Sequence, residues 1–199
     1  MSIPRGGFHP VRHMNGGADF QTQRIRKDGA TGADASLVYV GDAVRLVSGR
    51  VLRLVPGDTS ATGPGVFGVV ARVLVNEDGR PRVHGLPDQH PNISLSGDQD
   101  WLDVYTDPGI VFACRVAGSA TNELIGAGLN IAVTARVTGA GISGHMIDPT
   151  AVTAATAPFK GVAVSNFDLD GGGSDAAGRI EVIMNFHPYK AISSVAAAA

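Results

Sequence analysis

The sequence predicts an all-β protein, a single β-barrel or β-sandwich-like body preceded by an extended, irregular N-terminal arm. Three observations predict it. The apolar residues are largely Val, Ile and Ala, interrupted by 27 Gly and 11 Pro, a mixture that suits strands and turns over long helices. Short apolar runs recur between turn signals, and no strand–helix–strand alternation appears. Hydrophobic residues make up 44% of the chain and charged residues only 17%, so a core can form and global disorder is disfavoured.

The 199 residues divide into an arm at 1–36, a body at 37–192 and a low-complexity tail at 193–199. In the arm, Phe8, Val11, Met14, Phe20 and Ile25 follow neither a helical nor a strand period. Gly6, Gly7, Gly16, Gly17, Gly29 and Gly32 interrupt regular structure. Disordered tails avoid large apolar side chains, so this segment suits a groove on another protein. Each buried apolar anchor would contribute roughly 1.5–3 kcal/mol there. The body, with its own patterned strands, is expected to fold without the arm.

Charge divides along the same line. Residues 1–27 carry Arg5, Arg12, Arg24, Arg26 and Lys27 against the single acid Asp19, while the rest holds 11 basic and 17 acidic residues. Five charges without a Lys/Arg tract, beside an acidic body that repels phosphate, favour an acidic protein partner over nucleic acid.

The body opens with Leu37–Val40, a Gly41-Asp42 turn and Ala43–Val47. Ser48-Gly49 leads into Val51–Val55, which Pro56-Gly57-Asp58 ends. Val66–Val75 is the longest strand candidate, and Gly68 within it marks a bulge or a close backbone approach. Asp78-Gly79 is a hairpin signal, and residues 80–100, with Pro81, Pro87 and Pro91, read as a surface loop. Leu102–Tyr105 and Ile110–Val116 flank the turn Asp107-Pro108-Gly109. Ser119–Ile125 suits one helical turn stopped by Gly126. Asn130–Val137 reads as a strand, 139–144 as a Gly-rich loop, and Val152–Ala157 as either strand or loop. Gly161–Val164 is strand-like, and an Asp/Gly loop at 168–178 follows. In Arg179–Phe186, Ile180, Val182, Met184 and Phe186 alternate with Glu181 and Asn185, the pattern of a strand with one buried face.

Motifs with chemical overtones each lack a necessary part. Gly139-Ala140-Gly141-Ile142-Ser143-Gly144 matches G-x-G-x-x-G, but a dinucleotide site needs a helix starting there, and Pro149 follows too soon. Asp168, Asp170 and Asp175 lack the ligand register and terminal Glu of a calcium loop. His9 and His13 have metal-ligand spacing only on a helix, which Pro10 and the glycines oppose; His84, His90, His145 and His187 form no ligand pattern. The single Cys114, inside an apolar run, reads as a buried small hydrophobe. Asn92-Ile93-Ser94 is a glycosylation sequon with no secretory signal beside it, and Trp101 with Tyr105 reads first as packing. No nucleophile motif such as G-x-S-x-G is present. No catalytic residue, metal or cofactor is therefore expected, and no apolar run reaches the roughly 18 residues of a membrane span.

Several segments in order resemble a family of tailed-bacteriophage virion proteins, the capsid decoration or cement proteins. They are Gly7-Phe8-His9-Pro10-Val11-Arg12-His13-Met14-Asn15-Gly16, Val40-Gly41-Asp42-Ala43-Val44, Gly65-Val66-Phe67-Gly68-Val69, Asp103-Val104-Tyr105-Thr106-Asp107-Pro108 with Ile110-Val111-Phe112, Phe159-Lys160-Gly161-Val162 and Ile180–His187. The resemblance implies a non-enzymatic structural protein, made in the bacterial host cytoplasm and placed on the outer capsid surface of the virion. Its partners would be the phage major capsid protein and further copies of itself, as a homotrimer or alternatively a dimer, with no nucleic acid and no membrane. The capsid-binding residues expected in the arm are Arg5, Phe8, His9, Val11, Arg12, His13, Met14, Phe20, Arg24, Ile25, Arg26 and Lys27. A tail or fibre component that binds the host is the alternative, although neither repeats nor a trimerising coiled coil accompany it.

Overall fold

The computed structural model describes residues 7–17, 19–26, 38–47, 49–56, 65–77, 80–83, 101–133, 143–152, 156–165, 178–185 and 187. Among them the chain is all-β, with strands β1 (His9–His13), β2 (Thr22–Arg26), β3 (Ala43–Val47), β4 (Arg50–Arg53), β5 (Gly68–Glu77) and β6 (Arg80–Val83) in its first half. Strands β7 (Trp101–Tyr105), β8 (Ile110–Arg115), β9 (Gly128–Val133), β10 (His145–Val152), β11 (Phe159–Ser165) and β12 (Arg179–Met184) follow. The expected helical turn is a 3-10 turn at Asn122–Leu124.

These strands build two antiparallel sheets in a sandwich-like body. The first runs β1-β8-β12-β11-β9-β10, and the second β2-β7-β5-β3-β4 with β6 also beside β5. The first sheet curls toward closure: Val116 bridges Ile147, and the Gly7 amide donates to the His145 carbonyl at 3.0 Å. In the second, β4 approaches β2 without pairing with it.

The strand period of two distributes side chains between two cores. Ala43 and Val69 face a core with Phe112, Leu129, Phe159, Ile180 and Met184, whereas their neighbours Val44 and Val70 face another with Val51, Phe67, Leu102 and Val104. A one-residue slip of β3 or β5 would exchange the two sets, so the register of both strands is strongly specified. β12 shows the alternation expected of it, with Ile180, Val182 and Met184 buried between half-buried neighbours. β8 lies between β1 and β12, and its first five residues are all buried.

Local chemistry explains the joints. The Asp107 carboxylate accepts from the Gly109 amide at 2.7 Å, fixing the turn between β7 and β8. Gly68 is a close approach, since a Cβ there would collide with the Tyr105 backbone carbonyl. Gly7 and Gly41 cross backbone to backbone at φ 79° and 86°, and a Cβ on Gly7 would stand 2.7 Å from that of Ser143.

The structure differs from the sequence expectation in three places. Residues 9–13 and 22–26, expected within an irregular arm, are strands, one in each sheet. Edge positions explain this: β1 tolerates Pro10 because its register shifts between Pro10 and Arg12. The segment after the Gly-rich motif is strand β10, with Pro149 inside a register shift between Ile147 and Ala151. Arg80–Val83 pairs with the end of β5 instead of starting a loop. Residues 84–100 with His84, His90 and the sequon, residues 134–142, residues 166–177 with all of the Asp/Gly loop at 168–178 except Gly178, and residues 188–199 with the tail at 193–199 lie outside the described residues.

Candidate interaction surface

The N-terminal candidates fall into three groups. Phe8 and Ile25 are core residues, one in each hydrophobic cluster. The Phe8 amide donates to the Gly41 carbonyl at 2.8 Å, and its ring stacks on Phe159 at 4.5 Å between centroids. Phe20 is partly buried, stacked on His13 at 5.6 Å and edge-on to Tyr105 at 6.2 Å. Their apolar surface is thus spent largely inside the fold.

A second group links neighbouring strands. Arg12 reaches across β8 to Glu181 of β12 at 2.7 Å. Arg24 makes a two-pronged contact with Asp103 on β7, at 2.9 and 3.3 Å. That hydrogen bond, and then the carboxylate charge, hold the Arg24 guanidinium above its already high usual value. Arg26 lies over the Trp101 ring at 5.0 Å. His13 Nε2 is 3.0 Å from the Asp19 carbonyl, and its Nδ1 is 3.7 Å from the Asp107 carboxylate. His9 is half-buried, at the start of β1 opposite Ala113.

The third group faces solvent. Val11, at the register shift of β1, is 46% exposed, and Met14, in the following turn, is 54% exposed. The turn beneath them is ordered: the His13 amide donates to the Gly17 carbonyl and the Met14 amide to the Gly109 carbonyl, both at 2.9 Å. Arg5 and Lys27 lie outside the described residues. Beside this rim is a polar cleft of about 490 Å³ lined by His13, Asp19, Gln21, Thr22, Gln23, Thr106, Asp107 and Pro108. Nearby, burial pushes the Tyr105 phenol above its usual value, against a lowering pull from Arg72.

A buried polar cluster that sequence reading missed lies where the sheets meet. Asp42, Arg53, Ser143 and His145 are all buried. The Ser143 hydroxyl donates to one Asp42 oxygen at 2.5 Å, and the other accepts from the Tyr39 amide at 3.0 Å with Arg53 Nε at 3.3 Å. His145 Nδ1 accepts from the Ala43 amide at 3.0 Å, and its Nε2 is 2.9 Å from Arg53 Nε. The three residue types of a hydrolytic triad are present, but serine is bonded to the carboxylate and the imidazole is turned to backbone and arginine. No local pattern announces this cluster, because its members are up to 103 positions apart in the sequence, from Asp42 to His145.

His187, also buried, is 2.7 Å from the Phe67 carbonyl through Nε2. Among the described residues no group of three or more His, Cys, Asp or Glu could hold a metal ion. No helix among them is long and apolar enough to cross a membrane. No family model, curated protein or solved structure matches the chain.

Proposed function

We propose that this protein is a structural component of the tailed-phage virion that decorates and cements the outer capsid surface by binding the major capsid protein. The observation that carries the reading is the rim formed by β1 and its turn, where Val11 and Met14 stand exposed on hydrogen-bonded backbone. Apolar side chains displayed on an ordered turn bind with little further loss of chain entropy.

The ordered resemblance to decoration proteins supports the same reading. So does the buried cluster, whose Ser143 and His145 are committed to joining the two sheets. The binding role passes from Phe8 and Ile25, which serve the cores, to Val11, Met14 and the polar rim.

The test is to incubate the purified chain with capsids lacking it and count bound copies by co-sedimentation and cryo-EM. The wild type should bind, and Val11→Asp with Met14→Asp should lower occupancy at least tenfold while the melting temperature holds. An absence of wild-type binding would overturn the function; full occupancy by the double variant would overturn the rim assignment.

A further inference from the structure

The chain contains a single Asn-Gly pair, Asn15-Gly16, and the fold sets it in the turn that follows β1. Asn15, Gly16 and Gly17 are all exposed, and a Cβ on either glycine would meet nothing within 4 Å. Among the described residues the Asn15 side-chain amide has no hydrogen-bond partner. Gly16, at φ 83°, brings no side chain that could shield its own amide nitrogen. That nitrogen and the Asn15 side-chain carbonyl carbon are thus neighbours in open solvent.

Every other asparagine precedes a residue with a side chain, which crowds the following nitrogen. Asn130 stands before the β-branched Ile131 in β9, and its side-chain oxygen accepts from the Ile131 amide at 2.8 Å. The Asn185 side-chain amide donates to the Ala157 carbonyl at 3.0 Å, and Phe186 follows it. Asn76 and Asn122 each precede a glutamate, whose charge also repels an attacking base.

We infer that Asn15 is a site of spontaneous deamidation, and that the reaction remodels the turn displaying Met14. The Gly16 amide nitrogen, deprotonated by base, attacks the Asn15 side-chain carbonyl carbon and closes a succinimide ring as ammonia leaves. Water then splits one of the two ring C–N bonds. Cleavage at the side-chain carbonyl leaves an aspartate at position 15, and cleavage at the backbone carbonyl leaves an isoaspartyl link. One water is consumed and one ammonia released, with no oxidant or reductant. The Gly16 amide donates to the His13 carbonyl at 2.9 Å, so attack waits for the turn to open, which exposed loop tips do at low cost. The isoaspartyl product then carries an extra backbone carbon inside the loop closed by that bond. The same carbon lies between the partners of the second closing bond, from the His13 amide to the Gly17 carbonyl. Either product adds a negative charge to a turn whose His13 already lines the cleft with Asp19 and Asp107. The inference rests on this turn alone and stands apart from the capsid reading.

Peptide mapping by mass spectrometry, on the full chain aged in mildly alkaline buffer, tests the chemistry. Position 15 should deamidate roughly tenfold faster or more than Asn122, Asn130 or Asn185, and give both aspartyl and isoaspartyl products. The rate should rise with pH, because the nucleophile is the deprotonated amide. Hydrogen exchange should find the His13 and Gly16 amides less protected in aged than in fresh protein, with Phe8 unchanged. Asn15→Gln, whose longer side chain closes such a ring poorly, should stay unmodified at position 15 and keep the protection of the turn. An intact Asn15, deamidation there no faster than at the other asparagines, or unchanged amide protection in the deamidated turn would overturn the inference.

Discussion

Phe8 and Phe159 stack with ring centroids 4.5 Å apart and planes 16° from parallel, which joins the N-terminal segment to the core of the first sheet. Phe8 is only 1% exposed, and Phe159 sits on β11, three places from β1 in the sheet order. The stack therefore lies across the sheet interior, where side chains from distant strands converge.

Phe8→Ala should accordingly cost about 3–5 kcal/mol, the range for removing a buried aromatic ring. Deletion of residues 2–27 removes the terminal strand of each sheet together with Phe8 and Ile25. The truncated chain should lose cooperative unfolding, measured by circular dichroism in urea, although sequence alone suggested a body that folds without its arm. A truncated chain with wild-type cooperativity would show that the segment is dispensable.

Asp42 gathers Ser143, the Tyr39 amide and Arg53 at the junction of the sheets. Asp42→Ala should destabilise the protein by about 3–5 kcal/mol, because it leaves a buried guanidinium without its carboxylate. Asp42→Asn keeps an acceptor and should cost less. Urea midpoints of the two variants check the order; equal and small losses would mean that water enters and replaces the carboxylate.

How much was legible in the sequence follows from burial. β12 could be read because Ile180, Val182 and Met184 fall on one face while Arg179 and Glu181 fall on the other, and the β7–β8 turn because Asp107-Pro108-Gly109 names its own geometry. β2 could not, since Ile25 is its one buried residue and its exposed positions are polar. β1 was concealed by Pro10, which an edge strand accepts at its register shift. The all-β class and the role of Gly68 came from local signals. The Asp42 cluster depends on contacts across the chain, which no local pattern encodes.

Cys114 is buried in the first core, and burial pushes its thiol far above the usual range. The folded state keeps its proton at pH values where the unfolded thiol, near about 8.5, has lost it. Proton binding then favours the folded state, so stability should decline as pH rises above about 8.5. Urea unfolding between neutral and alkaline pH should show this slope in the wild type and a shallower one in Cys114→Ala. Native protein should also resist a thiol reagent that reacts after denaturation; rapid native modification would contradict the burial.

The last prediction separates an integrated N-terminal segment from a capture arm. A free arm would exchange its amide hydrogens at once and gain protection only on the capsid. Here the Phe8 amide is bonded to Gly41, the Met14 amide to Gly109, and β2 pairs with β7 along its whole length. Hydrogen exchange on the isolated protein should therefore find the hydrogen-bonded amides within residues 8–13 and 22–26 protected, with Phe8 among the slowest because opening it also breaks the Phe159 stack. Capsid binding should add protection mainly around the exposed turn from Val11 to Gly17. Free exchange at Phe8 and Ile25 in the isolated protein, reversed only by the capsid, would restore the capture-arm mechanism and remove the N-terminal strands from the solution fold.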